Sequence, residues 1–97
     1  MAAQLLVRHK YVYADGVIRK MVIRQLPHPG DERPHRLKYR LYHGYPGTPL
    51  VRYDNERGKG GHRHEGKHQA RYTFISVEQL IRAFEADIER SRGEHEE

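Results

Sequence analysis

The 97 residues are 36% hydrophobic and 32% charged, contain no cysteine, and carry a formal net charge of +5. That length leaves room for one domain, 1–97, and the absence of cysteine excludes a disulfide framework, a thiolate metal site and a cysteine nucleophile. The charge is divided: residues 76–97 hold seven acids against three arginines, leaving 15 bases and 6 acids in residues 1–75, a net +9.

A field of that sign gathers polyanions and makes their binding fall with salt, although a solvated basic surface is the plain alternative. Met1 to Leu6 lacks a long apolar run, and nowhere do eighteen apolar residues occur together. Neither signal peptide nor membrane span is expected, and the protein reads as cytoplasmic.

Two β-rich runs, Leu5 to Tyr13 and Val17 to Leu26, flank Ala14-Asp15-Gly16, and the Asp-Gly step predicts a hairpin. The alternation within them is untidy, so the buried face is not assigned. Three prolines and Gly30 make residues 27–34 a loop. Next, Leu37, Tyr39 and Leu41 alternate with Arg36, Lys38, Arg40 and Tyr42, predicting a strand with one packed and one electropositive face.

Gly44 to Thr48 turns the chain into Leu50-Val51-Arg52-Tyr53-Asp54, which runs into a glycine-rich loop from Gly58 to His68. Ala70, Tyr72 and Phe74 alternate in a last strand. Ser76 then caps a helix over 77–92, with Gln79 completing a capping box and Ile75 placed to staple to Leu80. Val77, Leu80, Ile81, Phe84 and Ile88 recur at helical spacing, a stripe read as core, and Gly93 stands where a terminating glycine belongs. The fold class is therefore α+β: a single antiparallel sheet of about five strands spanning 4–74, packed by one C-terminal helix. The core is thin, and a homodimer would help bury it.

Two groups of residues carry candidate chemistry. Arg36, Lys38 and Arg40 lie about 6.5 to 7 Å apart along one strand face, close to the spacing of phosphates on a single strand, with Tyr42 able to stack on a base. The stretch from Arg52 to His68 gathers Tyr53, Asp54, Asn55, Lys59, His62, Arg63 and His64. Cleavage of RNA needs a base for the 2′-hydroxyl proton, an acid for the departing 5′-oxygen and cations for the crowded phosphate. Two histidines with Arg52 and Lys59 meet that need, although an exposed mobile loop is an equally plain reading. A metal site using His62, His64 and His68, Asp54 or Glu65 is a weaker third reading, so no metal or other cofactor is expected. Gly58-Lys59-Gly60-Gly61 is not a P-loop, since no Ser or Thr opens a helix after the lysine.

Val51-Arg52-Tyr53-Asp54-Asn55 running into Gly58-Lys59-Gly60-Gly61-His62-Arg63-His64, followed by Tyr72-Thr73-Phe74-Ile75-Ser76-Val77-Glu78-Gln79-Leu80, resembles the TumE-like toxin family of prokaryotic toxin-antitoxin modules. The likeness spans the C-terminal half, with Tyr39, Arg40 and Tyr42 a weaker match upstream. The N-terminal hairpin has no matching motif. The resemblance implies a toxin and a cognate helix-turn-helix antitoxin, and it directs attention to Tyr53, Asp54, Asn55, Lys59, His62 and His64. The resulting expectation is a metal-independent endoribonuclease. His62, His64, Tyr53 and Asp54 form its catalytic group, and Arg36, Lys38, Arg40, Arg52, Asn55, Lys59 and Arg63 hold the RNA. A non-catalytic nucleic-acid-binding or regulatory module is the alternative.

Overall fold

The computed structural model describes residues 3–30, 33–55 and 60–96, with side chains as far as 93. Six antiparallel strands follow in chain order, and each pairs with its sequence neighbour: β1 (Gln4–Val12), β2 (Ile18–Gln25), β3 (Leu37–Tyr45), β4 (Thr48–Asp54), β5 (His62–Glu65) and β6 (His68–Arg71). Among the described residues one helix, α1 (Val77–Glu96), returns across one face. The α+β class stands, with six strands where about five were expected.

The extra strand, β5, comes from the glycine-rich stretch. Glycine there punctuates rather than forbids pairing: Gly66, at φ 59, makes a two-residue turn so that Glu65 faces His68. Residues 62–71 therefore form a hairpin, and the last strand ends at Arg71 instead of reaching Phe74. Beyond the strand, the Tyr72 amide still donates to the Gly61 carbonyl (3.0 Å), and Tyr72 and Phe74 pack against the core.

The other turns follow their sequence signals. Asp15 Oδ1 accepts from the Val17 amide (3.1 Å), and Gly16 takes φ 88, closing the first hairpin. Pro46-Gly47 joins β3 to β4 with Gly47 at φ 77, as a type II turn requires. At the adjoining bulge, a Cβ on Gly44 would sit 2.5 Å from the Thr48 carbonyl oxygen, so only glycine fits.

Period-two alternation gives each sheet face its character. Ile23, Tyr39, Leu41, Val51 and Tyr53 point to the helix side, where Leu80, Phe84 and Ile88 meet them. Each such side chain contributes roughly 1.5–3 kcal/mol on burial. The Tyr53 ring stands edge-on to Phe84 at 6.1 Å and to Tyr72 at 5.1 Å.

Ser76 caps α1 as expected, its Oγ accepting from the Gln79 amide (3.1 Å). Two details at the helix ends differ from expectation. Ile75 is 72% exposed, so the staple to Leu80 does not form. The helix also passes through Gly93 to Glu96 instead of ending at 92, and Gly93 has no left-handed φ. A helical glycine costs only about 1 kcal/mol relative to alanine, too little to end a helix by itself. Arg92 secures this end, lying 4.0 Å over the Tyr13 ring and 3.6 Å from Asp15 Oδ2.

Candidate functional site

The face away from α1 is crossed by two rows of side chains at right angles to the strands. Lys10, Lys20, Tyr42, Arg52, His64 and Gln69 are successive cross-strand partners from β1 to β6. The parallel row is Arg8, Val22, Arg40, Asp54, His62 and Arg71. Arg24 and Lys38 pair beside them. Among the described strand residues, Asp54 is the one carboxylate against eight Lys and Arg on this face.

Neighbouring strands are about 4.8 Å apart, so these rows place cations closer together than alternation along one strand does. β5 brings the two histidines onto the face because they are separated by one residue. Their rings are 6.3 Å apart between centroids. Arg52 lies opposite His64 and holds Nη2 3.1 Å from its Nε2, while the Arg52 Nε is 3.2 Å from Asp54 Oδ2. A guanidinium can only donate, so this contact needs His64 Nε2 without its proton, as an acceptor. Gln69 Nε2 approaches His62 Nδ1 at 3.4 Å.

The pairing thus brings His62, His64, Arg52 and Asp54 together, with Lys38 and Arg40 on the same face. It separates the other residues selected from the sequence. Arg36 precedes β3 at φ 65 and turns its Nε to the Leu26 carbonyl (3.1 Å), so the expected row of Arg36, Lys38 and Arg40 begins at Lys38. The left-handed residue breaks the alternation that the sequence suggested.

Asn55 is buried and joins strand ends: its Nδ2 donates to the Leu37 carbonyl (2.8 Å) and its Oδ1 accepts from the Tyr39 amide (2.9 Å). Tyr53 and Arg63 lie on the helix side of the sheet, across from the histidines. Lys59 is outside the described residues.

A cluster that the sequence reading missed explains Tyr53 and Arg63. Asp87 of α1, 4% exposed, accepts from Tyr53 Oη (2.6 Å), from Arg63 Nε (2.7 Å) and Nη2 (2.8 Å), and from Arg90 Nη2 (2.6 Å). Glu65 accepts from Arg63 (2.7 Å) and from Arg90 (2.8 and 2.6 Å). Desolvation pushes the Asp87 carboxyl up, but hydrogen bonds from Arg63 and Tyr53 and the Arg63 charge outweigh it and hold the group below its ordinary range. Burial raises the Tyr53 phenol well above its ordinary value, and its bond to Asp87 adds to that. The readable signal was Asp87 itself, a carboxylate beside Ile88 on the apolar stripe.

The face also contains a groove of about 540 Å³ between β1, β2 and β3. Ile18 and Val22 line it with apolar surface, while Lys10, Lys20, Arg24, Lys38 and Arg40 supply positive charge and Asp54 a carboxylate. Among the described residues, no group of three or more His, Asp or Glu is placed to hold a metal ion. No helix among the described residues is long and apolar enough to cross a membrane.

A model of the family described as "Toxin TumE" matches residues 2–92. The chain belongs to the TumE toxin family. The match extends the likeness beyond the C-terminal half, taking in the N-terminal hairpin that contributes Arg8, Lys10, Lys20 and Arg24 to the basic face. No curated protein and no solved structure matched the chain. Membership in a toxin family makes the basic, histidine-bearing face of this TumE-family chain the first place to look for what it attacks. It also implies, in general terms, an antitoxin that restrains it.

Proposed function

We propose that this TumE-family toxin acts on RNA as a metal-independent endoribonuclease whose centre is His62, His64 and Arg52. The observation that carries this reading is the Arg52 guanidinium 3.1 Å from His64 Nε2, with the second imidazole 6.3 Å away on the same strand face. A phosphodiester arriving between the rings draws Arg52 from His64 onto a phosphate oxygen, as anions bind guanidinium in two-pronged geometry. His64 Nε2, already an acceptor, then takes the 2′-hydroxyl proton.

The 2′-oxygen attacks phosphorus, and the bond to the 5′-oxygen breaks. His62, protonated, gives its proton to that leaving oxygen. The products are a 2′,3′-cyclic phosphate and a 5′-hydroxyl, with atoms and charge balanced and no further reactant required. Arg52 stabilises the extra negative charge on phosphorus, and Asp54 holds Arg52 in place. Lys38 and Arg40 contribute to RNA binding. Tyr53, Arg63 and Asn55 position the strands and do not touch the RNA. The helix-turn-helix antitoxin neutralises the toxin by covering the basic face.

The breadth of that face also suits a module that grips RNA without cutting it. His62→Gln and His64→Gln separate the two readings, since glutamine keeps hydrogen bonding and removes proton transfer. Each variant is expected to retain RNA affinity within about threefold and to lose growth inhibition, as removal of general acid or base catalysis costs roughly 10²–10⁴ in rate. Full toxicity in both variants overturns the catalytic reading.

A further inference from the structure

The groove between β1, β2 and β3 lies on the same face as the histidines and reaches Asp54, the cross-strand partner of His62, but the rest of its lining differs from theirs. Ile18 and Val22 give it an apolar surface, and Lys10, Lys20, Arg24 and Arg40 surround that surface with charge. Phosphate favours the charged groups and has no use for the apolar ones. A nucleobase has the opposite preference.

Tyr42 lines the groove next to Arg52 in the same cross-strand row, and its hydroxyl donates to the Tyr45 carbonyl. That bond fixes the ring before any ligand arrives, so stacking on it costs little ordering entropy. At about 4.8 Å per strand, Lys20 is three steps from His64, about 14 Å, and Lys10 is four steps away, about 19 Å. An extended single strand covers this in two to three nucleotides, at a stride of roughly 6–7 Å.

We propose that this groove is a subsite for single-stranded RNA, seating a base two to three nucleotides from the phosphate held at His62, His64 and Arg52. The inference rests on the RNA reading above and adds direction and length to it: the strand crosses the β-strands along the row from Lys10 to His64. An A-form duplex keeps its bases stacked inside and presents mainly phosphates and sugars, so it leaves Ile18 and Val22 uncovered and binds less well.

The test uses fluorescently labelled 2′-O-methyl oligonucleotides of two, four, six and eight residues, which lack the attacking hydroxyl and stay intact. Binding to the full chain is followed by anisotropy. Affinity should rise steeply between two and four residues and change little beyond six. The double variant Lys20→Glu/Arg24→Glu should lose more than tenfold on the six-residue probe and little on the two-residue probe. Val22→Glu, which leaves every cation in place, should also lose affinity selectively for the longer probe. Both alter surface positions, and circular dichroism checks that each folds.

Wild-type binding that does not depend on length, or groove variants that bind the six-residue probe normally, overturns the subsite while leaving the catalytic centre intact. Groove variants that bind RNA normally but escape the antitoxin assign the groove to a protein partner and also overturn it. If the wild-type protein binds none of the probes, the RNA reading fails with it.

Discussion

Asp87 offers the sharpest test of how the structure holds the site. Its buried carboxylate accepts four hydrogen bonds, from Tyr53, twice from Arg63, and from Arg90, at 2.6–2.8 Å. Asp87→Ala takes the partner of the Tyr53 phenol away beneath the helix and leaves Arg63 and Arg90 with Glu65 alone. Removing one member of a fully buried ion pair costs about 3–5 kcal/mol. The Arg63 and Arg90 side chains are 34% and 47% exposed, so water replaces part of what is lost. A loss of about 2–3 kcal/mol follows. For a chain of this size each kcal/mol moves Tm by roughly 4–8 °C, giving a fall of about 8–24 °C by circular dichroism. Arg63 lies between His62 and His64, so hydrogen exchange should also quicken in β5 and β6 before it does in β2 and β3. A Tm within about 4 °C of wild type refutes the view that this cluster clamps β5 to α1.

Other expectations follow from the same contacts. The Asp87 and Glu65 carboxyls lie below their ordinary values of 3.8 and 4.5, so their stabilisation is complete above those values. It is lost as pH falls through the lower folded values, so urea midpoints should drop below about pH 4. Asn55→Ala strands the Leu37 carbonyl and the Tyr39 amide and should cost about 1–3 kcal/mol by urea denaturation. Ser76→Ala removes the helix cap and should cost about 1 kcal/mol in the same assay, without changing RNA affinity. In Gly61→Ala the new Cβ meets the Tyr72 carbonyl oxygen, whose residue pairs with Gly61, so β6 should lose amide protection at its Arg71 end.

Much of the fold was legible because local signals agreed with one another. Asp15-Gly16, Pro46-Gly47 and the Ser76 cap each named their turn or boundary, and the stripe from Val77 to Ile88 fixed the helix face. The hairpin of β5 and β6 was hidden because its strands are only four residues each, polar, and preceded by a glycine run, and their pairing is decided by β4 alongside. The site was only half readable for the same reason. Proximity of His62 and His64 follows from their spacing, but Arg52 joins them through a register no local pattern reveals. Alternation was misleading at Arg36, where a left-handed residue interrupts it. Tyr53 and Arg63 sit among the signature residues yet face α1, and their partner Asp87 is 34 and 24 residues further along the chain. Lys10, Lys20 and Arg24 went unassigned because the first hairpin alternates too irregularly to reveal which face is buried.

The most direct test of the proposed RNA-cutting centre is to give the purified toxin a single-stranded RNA in the presence of chelator and to identify the new ends. Cutting that persists, leaves 2′,3′-cyclic phosphate, and stops in both His62→Gln and His64→Gln is the predicted result. Fragments ending in a plain 3′-hydroxyl, or undiminished cutting by either variant, contradict the two-histidine mechanism.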